Sequence, residues 1–296
     1  MPDNPHGYTN PHLIIETDEL ETQLGDSGLR VIDANVRMSI RKDGGYKIES
    51  GRPDWEDEHI PSSCFMDLTS ELSANHSKLN FMMPTSLQFE KVMSEAGIGN
   101  DNRLVLYSQG MNYWATRLFL MFRAMGFESV QVLNGGWDKW KAEQRLTTTE
   151  APNWPPTTFK ANPDPGQIIG KDDVLAAIGD QNTCIINALA PEIFSGEKLS
   201  PAYKRAGHIK GSVNVYCYNL VDSATKVFLP ADKLRERFDS VGALDKDRII
   251  TYCGGGISAT TDSFALLLLG HPNVALYDGS MTDWGPDESM PMETGK

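Results

Sequence analysis

The chain has 296 residues, 40% apolar and 23% charged, which is enough for sizeable cores and sets a prior of about two domains. Lys and Arg total 27 against 40 Asp and Glu, a formal net charge of −13. That balance opposes long-range encounter with nucleic acid or an anionic membrane surface, so any anion site must be built locally, from backbone N–H groups or a few placed cations.

Along the chain, Met1 to Pro11 is polar and carries Pro2, Pro5 and Pro11. It has no basic start followed by an apolar core, so no secretory leader is expected. The first half then offers four blocks that recur in order in the second. Val31-Ile32-Asp33-Ala34 returns as Ile185-Ile186-Asn187-Ala188, and His59-Ile60 returns as His208-Ile209. Arg103-Leu-Val-Leu-Tyr107-Ser108 returns as Arg248-Ile-Ile-Thr-Tyr252-Cys253. Asn134-Gly135-Gly136-Trp137-Asp138-Lys139-Trp140 returns as Asp278-Gly279-Ser280-Met281-Thr282-Asp283-Trp284. Four ordered matches imply a duplicated domain. Between the copies, residues 146–165 carry three consecutive threonines and five prolines (Pro152, Pro155, Pro156, Pro163, Pro165). Proline removes donors and fixes φ, so this reads as an extended linker. The domains expected are 1–145, the linker 146–165, and 166–296.

The second half alternates short strands and helices. Helices are expected over 172–178, 231–238 and 259–269, and strands over 183–187, 212–215, 248–252 and 274–277. This pattern predicts an α/β fold with a mostly parallel sheet, in which ligands bind beyond the carboxyl ends of strands. The longest strongly apolar stretch, Phe264 to Leu269, is too short to cross a bilayer. The four cysteines (Cys64, Cys184, Cys217, Cys253) form no C-x-x-C pair and no metal-ligand spacing with His. Free thiols in a cytoplasmic setting are expected, with no metal and no cofactor.

One strand–loop–helix carries the chemistry. Tyr252 ends a β-branched strand, Cys253-Gly254-Gly255-Gly256-Ile257-Ser258 follows, and a helix begins near Ala259. Three glycines permit positive φ, so successive N–H groups can converge as an anion nest reinforced by the helix end. A thiolate at that point is favoured over the thiol. Ser258 suits an N-cap. The other three cysteines sit beside apolar or strand-like residues and read as core. His208 reads as structural, because its repeat partner His59 lies in the half without the cysteine. His76 reads as an exposed loop residue. Trp137, Trp140 and Trp284 read as packing, and Asp262 and Asp283 as helix and turn stabilisers.

Gly207-His208-Ile209-x-Gly211-Ser212, the Cys253–Ser258 loop, the tail from Tyr277 to Trp284 and the duplication together resemble the two-domain rhodanese-type sulfurtransferases over residues 12–288. The resemblance implies two tandem rhodanese-like domains, each a mostly parallel central sheet flanked by helices. It places the working cysteine in the second, with Ser108 at the matching position of a non-catalytic first domain. It implies that Cys253 takes the sulfane sulfur of thiosulfate or 3-mercaptopyruvate as a persulfide. The sulfur then passes to cyanide, a thiol or a thioredoxin-like acceptor. Gly254, Gly255, Gly256, Ile257 and Ser258 would bind the substrate. The chain departs from the family where cations or an arginine are usual, at Gly254, Gly255 and Ile193. It has Phe81 where one branch has histidine, Asn187 where Asp is usual and Met281 where tryptophan is usual. Arg205 is the expected replacement anchor, with Lys204 as the alternative, since a guanidinium grips an oxyanion bidentately. A cysteine phosphatase would need arginine six residues after Cys253, where Ala259 stands. A non-catalytic binding protein of the same fold fits the lost cations but not the retained Cys253 and glycines.

Overall fold

The computed structural model describes residues 4–41, 45–75 and 77–295; His76 lies outside them. Two five-stranded sheets repeat one topology. The first has the order Ile14–Ile15, Val130–Leu133, Arg103–Tyr107, Leu29–Asp33, Ser63–Phe65. The second has the order Ile168–Ile169, Val274–Tyr277, Arg248–Tyr252, Thr183–Asn187, Val213–Asn214. Every pairing within them is parallel. Parallel strands need both faces covered, and the sequence supplies this by alternation. Val31 and Ile185 face outer clusters, whereas Ile32 and Ile186 face the core shared by the halves. The fold is α/β, as expected. Strands Thr183–Asn187, Arg248–Tyr252 and Val274–Tyr277 occur as read, and that at 212–215 shortens to Val213–Asn214. The helices are Lys171–Ala177, Ala231–Asp239 and Ala259–Leu268. No helix among the described residues is long and apolar enough to cross a membrane.

Two helices explain how the halves join. Tyr113–Ala124 and Ala259–Leu268 each follow the central strand of their own sheet and pack against each other. Ten of the twelve residues of the first and nine of the ten of the second are buried. A helix buried all round lies between two layers, here its own sheet and the other half. Phe119 and Phe264 meet edge to face at 4.9 Å, and the Thr116 and Thr260 hydroxyls lie 2.7 Å apart. The apolar core is therefore continuous across the two halves.

Both ends of the first half are tied down. Residues 6–10 lie on the second half, where Ala231 N donates to the His6 carbonyl (2.8 Å) and Asn10 N to that of Leu268 (3.1 Å). The proline-rich stretch over 146–165 forms neither helix nor strand, as its composition dictates. It is nevertheless pinned to the first half. Phe159 is buried against Phe89, Phe122 and Phe127, and Asn162 N donates to Met125 O (2.8 Å). An antiparallel hairpin, Val36–Ile40 with Tyr46–Ser50, was not legible in the sequence pattern.

Candidate active site

Cys253 leaves the central strand of the second sheet, level with the carboxyl ends of its parallel neighbours. It is 1% exposed and lies on the wall of a cavity of about 420 Å³. Both halves line that cavity: Phe81 and Tyr113 from the first, Tyr203, Tyr218 and the Cys253 loop from the second.

The three glycines have different jobs. Only Gly256 takes a positive φ, 72°, and a Cβ there would sit 2.5 Å from the Asp278 carbonyl oxygen. A Cβ on Gly254 would lie 2.1 Å from the Tyr203 hydroxyl oxygen. At Gly255 the nearest atom is the Thr282 hydroxyl at 3.8 Å, so that position is open. Of the conformational freedom that three glycines permit, one position uses it to turn the chain, one makes room for a neighbour, and one is unconstrained.

Ser280 is the peg of the loop. Its hydroxyl oxygen accepts from both Cys253 N and Gly256 N at 3.1 Å, and its proton goes to the Tyr277 carbonyl (2.8 Å). Ser280 holds this post at φ 49°, a left-handed conformation that costs a non-glycine residue about 1–2 kcal/mol. Met281 N and Thr282 N donate to the carbonyls of Cys253 (3.1 Å) and Gly254 (2.9 Å), which satisfies those two oxygens. Among the described residues, the amides of Gly254, Gly255, Ile257 and Ser258 have no protein acceptor. Ser280 takes Cys253 N and Gly256 N, so these four are the loop amides left without a protein acceptor. Ser258 stands at the helix N-cap position but in helical conformation (φ −61°, ψ −28°), and its hydroxyl makes no cap bond. It reaches towards Cys217 instead.

The first half grips the loop through an ion pair that is almost wholly buried. Arg117 Nη1 donates to Asp278 Oδ1 (2.6 Å) and to the Gly256 carbonyl (3.3 Å), while Nη2 donates to the Phe81 carbonyl. Met83 N donates to Asp278 Oδ2 (2.8 Å). Breaking one side of such a pair leaves an uncompensated buried charge, typically about 3–5 kcal/mol.

The anchor expected at Arg205 is not there. Its guanidinium donates to four carbonyls, those of Trp284, Gly285, Asp287 and Met290, and it does not line the cavity. It holds the chain after Trp284, because that turn offers carbonyls no helix satisfies. Lys204 is exposed and also outside the cavity. Lys78 is the cation among the described residues that line it. His208 Nδ1 donates to the Phe194 carbonyl (2.7 Å), and its ring stacks on Phe194, as His59 stacks on Trp55. Asp283 accepts from the Tyr277 hydroxyl and pairs with Lys171, a turn-stabilising role. Asp262 differs from its expected part. It is fully buried with both carboxylate oxygens unpartnered, and burial, then the charge of Cys253, push it well above the ordinary carboxylate range. Burial of this kind favours the protonated form over the charge that a helix-end role would use.

The other thiols are unsuited to ionise. Burial pushes Cys64 up to about 12 and Cys184 to about 11, and it holds Cys217 well above the ordinary thiol range. Four residues at the site escaped the sequence reading: Ser280, Asp278, Arg117 and Tyr203. A signal existed for three of them. The repeat changes Gly136 to Ser280 and Asn134 to Asp278, and Arg117 is a cation in the middle of a mostly apolar helix. Tyr203 stands beside Lys204 and Arg205, where attention goes to charge.

A cysteine at the turn from a parallel strand into a helix, under amides without acceptors and on a duplicated α/β scaffold, defines the thiol-dependent sulfur-transfer enzymes. Rhodanese-like domains match residues 16–143 and 172–287, and the chain belongs to the rhodanese family as a two-domain sulfurtransferase. A Saccharopolyspora erythraea protein named for thiosulfate sulfurtransferase activity is 33% identical, covering 95% of this chain and 96% of its own. The sulfur carrier protein TtuD of Thermus thermophilus is 30% identical, covering 98% and 99%. The crystal structure of SseA from Escherichia coli, described with 3-mercaptopyruvate sulfur transfer, superposes with a TM-score of 0.80. It is 31% identical and covers 90% of this chain and 98% of that one.

Proposed function

We propose that this chain carries sulfur as a persulfide on Cys253, taken from thiosulfate or 3-mercaptopyruvate and passed to cyanide, a small thiol or a thioredoxin-like protein. The observation that carries the reading is the set of four amides without acceptors around Cys253 at the cavity wall. The Cys253 thiolate attacks the outer sulfur of the donor. The S–S bond of thiosulfate, or the C–S bond of 3-mercaptopyruvate, breaks. Sulfite, or the enolate of pyruvate, leaves with the electron pair. The new persulfide anion needs donors that require no reorganisation, and oriented amides supply them. The names of the relatives support both donors. Gly254, Gly255, Ile257 and Ser258 are the proposed anion-binding residues, while Gly256 shapes the loop. The net charge of −13 disfavours nucleic acid and anionic membranes as partners, and four unpaired cysteines suit a reducing cytoplasm.

Intact mass after incubation with each donor tests this. A gain of one sulfur atom with at least one donor, absent in Cys253→Ser, is expected. Reduced protein that gains nothing from either donor contradicts it.

A further inference from the structure

We propose that Tyr203 is the residue that holds the anionic end of the sulfur donor over Cys253, through a hydrogen bond from its hydroxyl. The inference rests on the sulfur-transfer reading and adds to it a donor-holding group on the second half's side of the cavity, where Arg205 does not reach.

The geometry is specific. The Tyr203 hydroxyl lies where a Cβ of residue 254 would be, 2.1 Å from that position, so it sits directly on the residue after Cys253. Tyr203 lines the same cavity wall as Cys253, Gly254 and Gly255. Its ring is held by the apolar cluster on the outer face of the second sheet. Among the described residues its hydroxyl has no hydrogen-bond partner in the protein. The residue is partly buried, and a phenol on a cavity wall with no protein partner is free to bond a ligand there. The other aromatic hydroxyls nearby are differently placed: Tyr113 and Tyr218 bond to each other, and Tyr46 is exposed at 39%.

Burial, and then the charge of Cys253, hold the Tyr203 proton well above the ordinary tyrosine range, so the hydroxyl remains a donor. A neutral donor suits the step. Thiosulfate brings two negative charges to a thiolate, and a phenol O–H meets a sulfonate or carboxylate oxygen without adding a buried charge. The proton stays on Tyr203 throughout. The S–S bond between Cys253 and the outer sulfur forms as the donor's S–S or C–S bond breaks. The same contact accounts for Gly254: any side chain there would displace the hydroxyl.

Tyr203→Phe keeps the ring and removes only the donor. With thiosulfate in single-turnover persulfide formation, kcat/KM is expected to fall about 10–100-fold, the fold-change of losing one hydrogen bond to a charged group. Much of that loss is expected as a raised donor KM. Discharge of preformed persulfide by cyanide, which involves no donor anion, is expected within about threefold of wild type. A purely packing role would lower the melting temperature and leave this split absent. Gly254→Ala, with Tyr203 intact but displaced, is expected to reproduce the donor defect. Tyr203→Phe within about twofold of wild type, in a protein that takes up sulfur, overturns this inference alone. A wild type that takes up no sulfur overturns this inference and the sulfur-transfer reading together.

Discussion

The two loops at the ends of the two central strands are the same design carried to different ends. In the second half, Ser280 pins Cys253 and Gly256 and donates to the Tyr277 carbonyl. In the first half, glycine (Gly136) stands at the Ser280 position, and the Asn112 side chain takes over. Its Nδ2 donates to Leu133 O (3.1 Å), the carbonyl that corresponds to Tyr277, and its Oδ1 lies 2.2 Å from where a Gly136 Cβ would be. Ser108, in the cysteine position, accepts from Ala115 N (3.3 Å). The backbone frame persists, with Trp137 N on Ser108 O as Met281 N is on Cys253 O. The peg thus stands on the turn after the last strand in one half and on the loop itself in the other, where Asn112 Oδ1 bonds to no loop amide. The two loops therefore differ in this peg as well as in the cysteine.

The largest expected effect tests that statement. In a Cys253→Ser background, Ser108→Cys is predicted to give no detectable persulfide with thiosulfate by intact mass, because glycine stands where Ser280 pins the Cys253 loop. Sulfur uptake at the thiol introduced by Ser108→Cys would show that the cysteine alone decides. Next is the clamp from the first half. Arg117→Ala strips the partner from Asp278 and is expected to cost about 3–5 kcal/mol in urea unfolding. It also lowers the rate of persulfide formation, since the Gly256 carbonyl loses its donor. Arg117→Ala with unaltered stability would remove the first half from the account of the site. Ser280→Ala leaves two loop amides without an acceptor and is predicted to lose about 1–3 kcal/mol, with a slower donor step. Equal kinetics in that variant would mean the peg is dispensable.

A smaller effect compares the halves through pH. Burial pushes Asp33 up to about 7, and its counterpart in the second half is Asn187. Unfolded, Asp33 ionises near about pH 4, so between about 4 and 7 the folded chain holds the extra proton. Its contribution is therefore fully present below about pH 4 and is lost as pH rises through about 7, at about 1.4 kcal/mol per pH unit between the two values. Asp33→Asn is predicted to flatten the fall in melting temperature between about pH 5 and 8. The asparagine can keep the bond from Asn35 N, as Asn187 keeps that from Leu189 N. An unchanged pH profile would place the titration elsewhere.

Much of the fold was legible because repetition and β-branched runs report it directly. The strands Thr183–Asn187, Arg248–Tyr252 and Val274–Tyr277 are short apolar segments bounded by turns, and their burial on both faces is what such runs encode. The Cys253 loop was legible for the same reason, as an unusual glycine cluster at a strand end. Arg205 misled because charge can be read in a sequence and its partners cannot: four carbonyls of one turn claim it. Tyr203 was hidden because its importance lies in where its hydroxyl ends up, against a glycine far along the chain. The Arg117–Asp278 pair joins elements 161 residues apart, a distance no local pattern spans.

The claim that one half of a duplicated scaffold does the chemistry has one direct measurement. The protein is incubated with thiosulfate or 3-mercaptopyruvate, alkylated and digested, and each cysteine peptide is weighed. The added sulfur is predicted on the Cys253 peptide alone, with Cys64, Cys184 and Cys217 unmodified. Sulfur on any of those three instead, or on none of the four, contradicts the account.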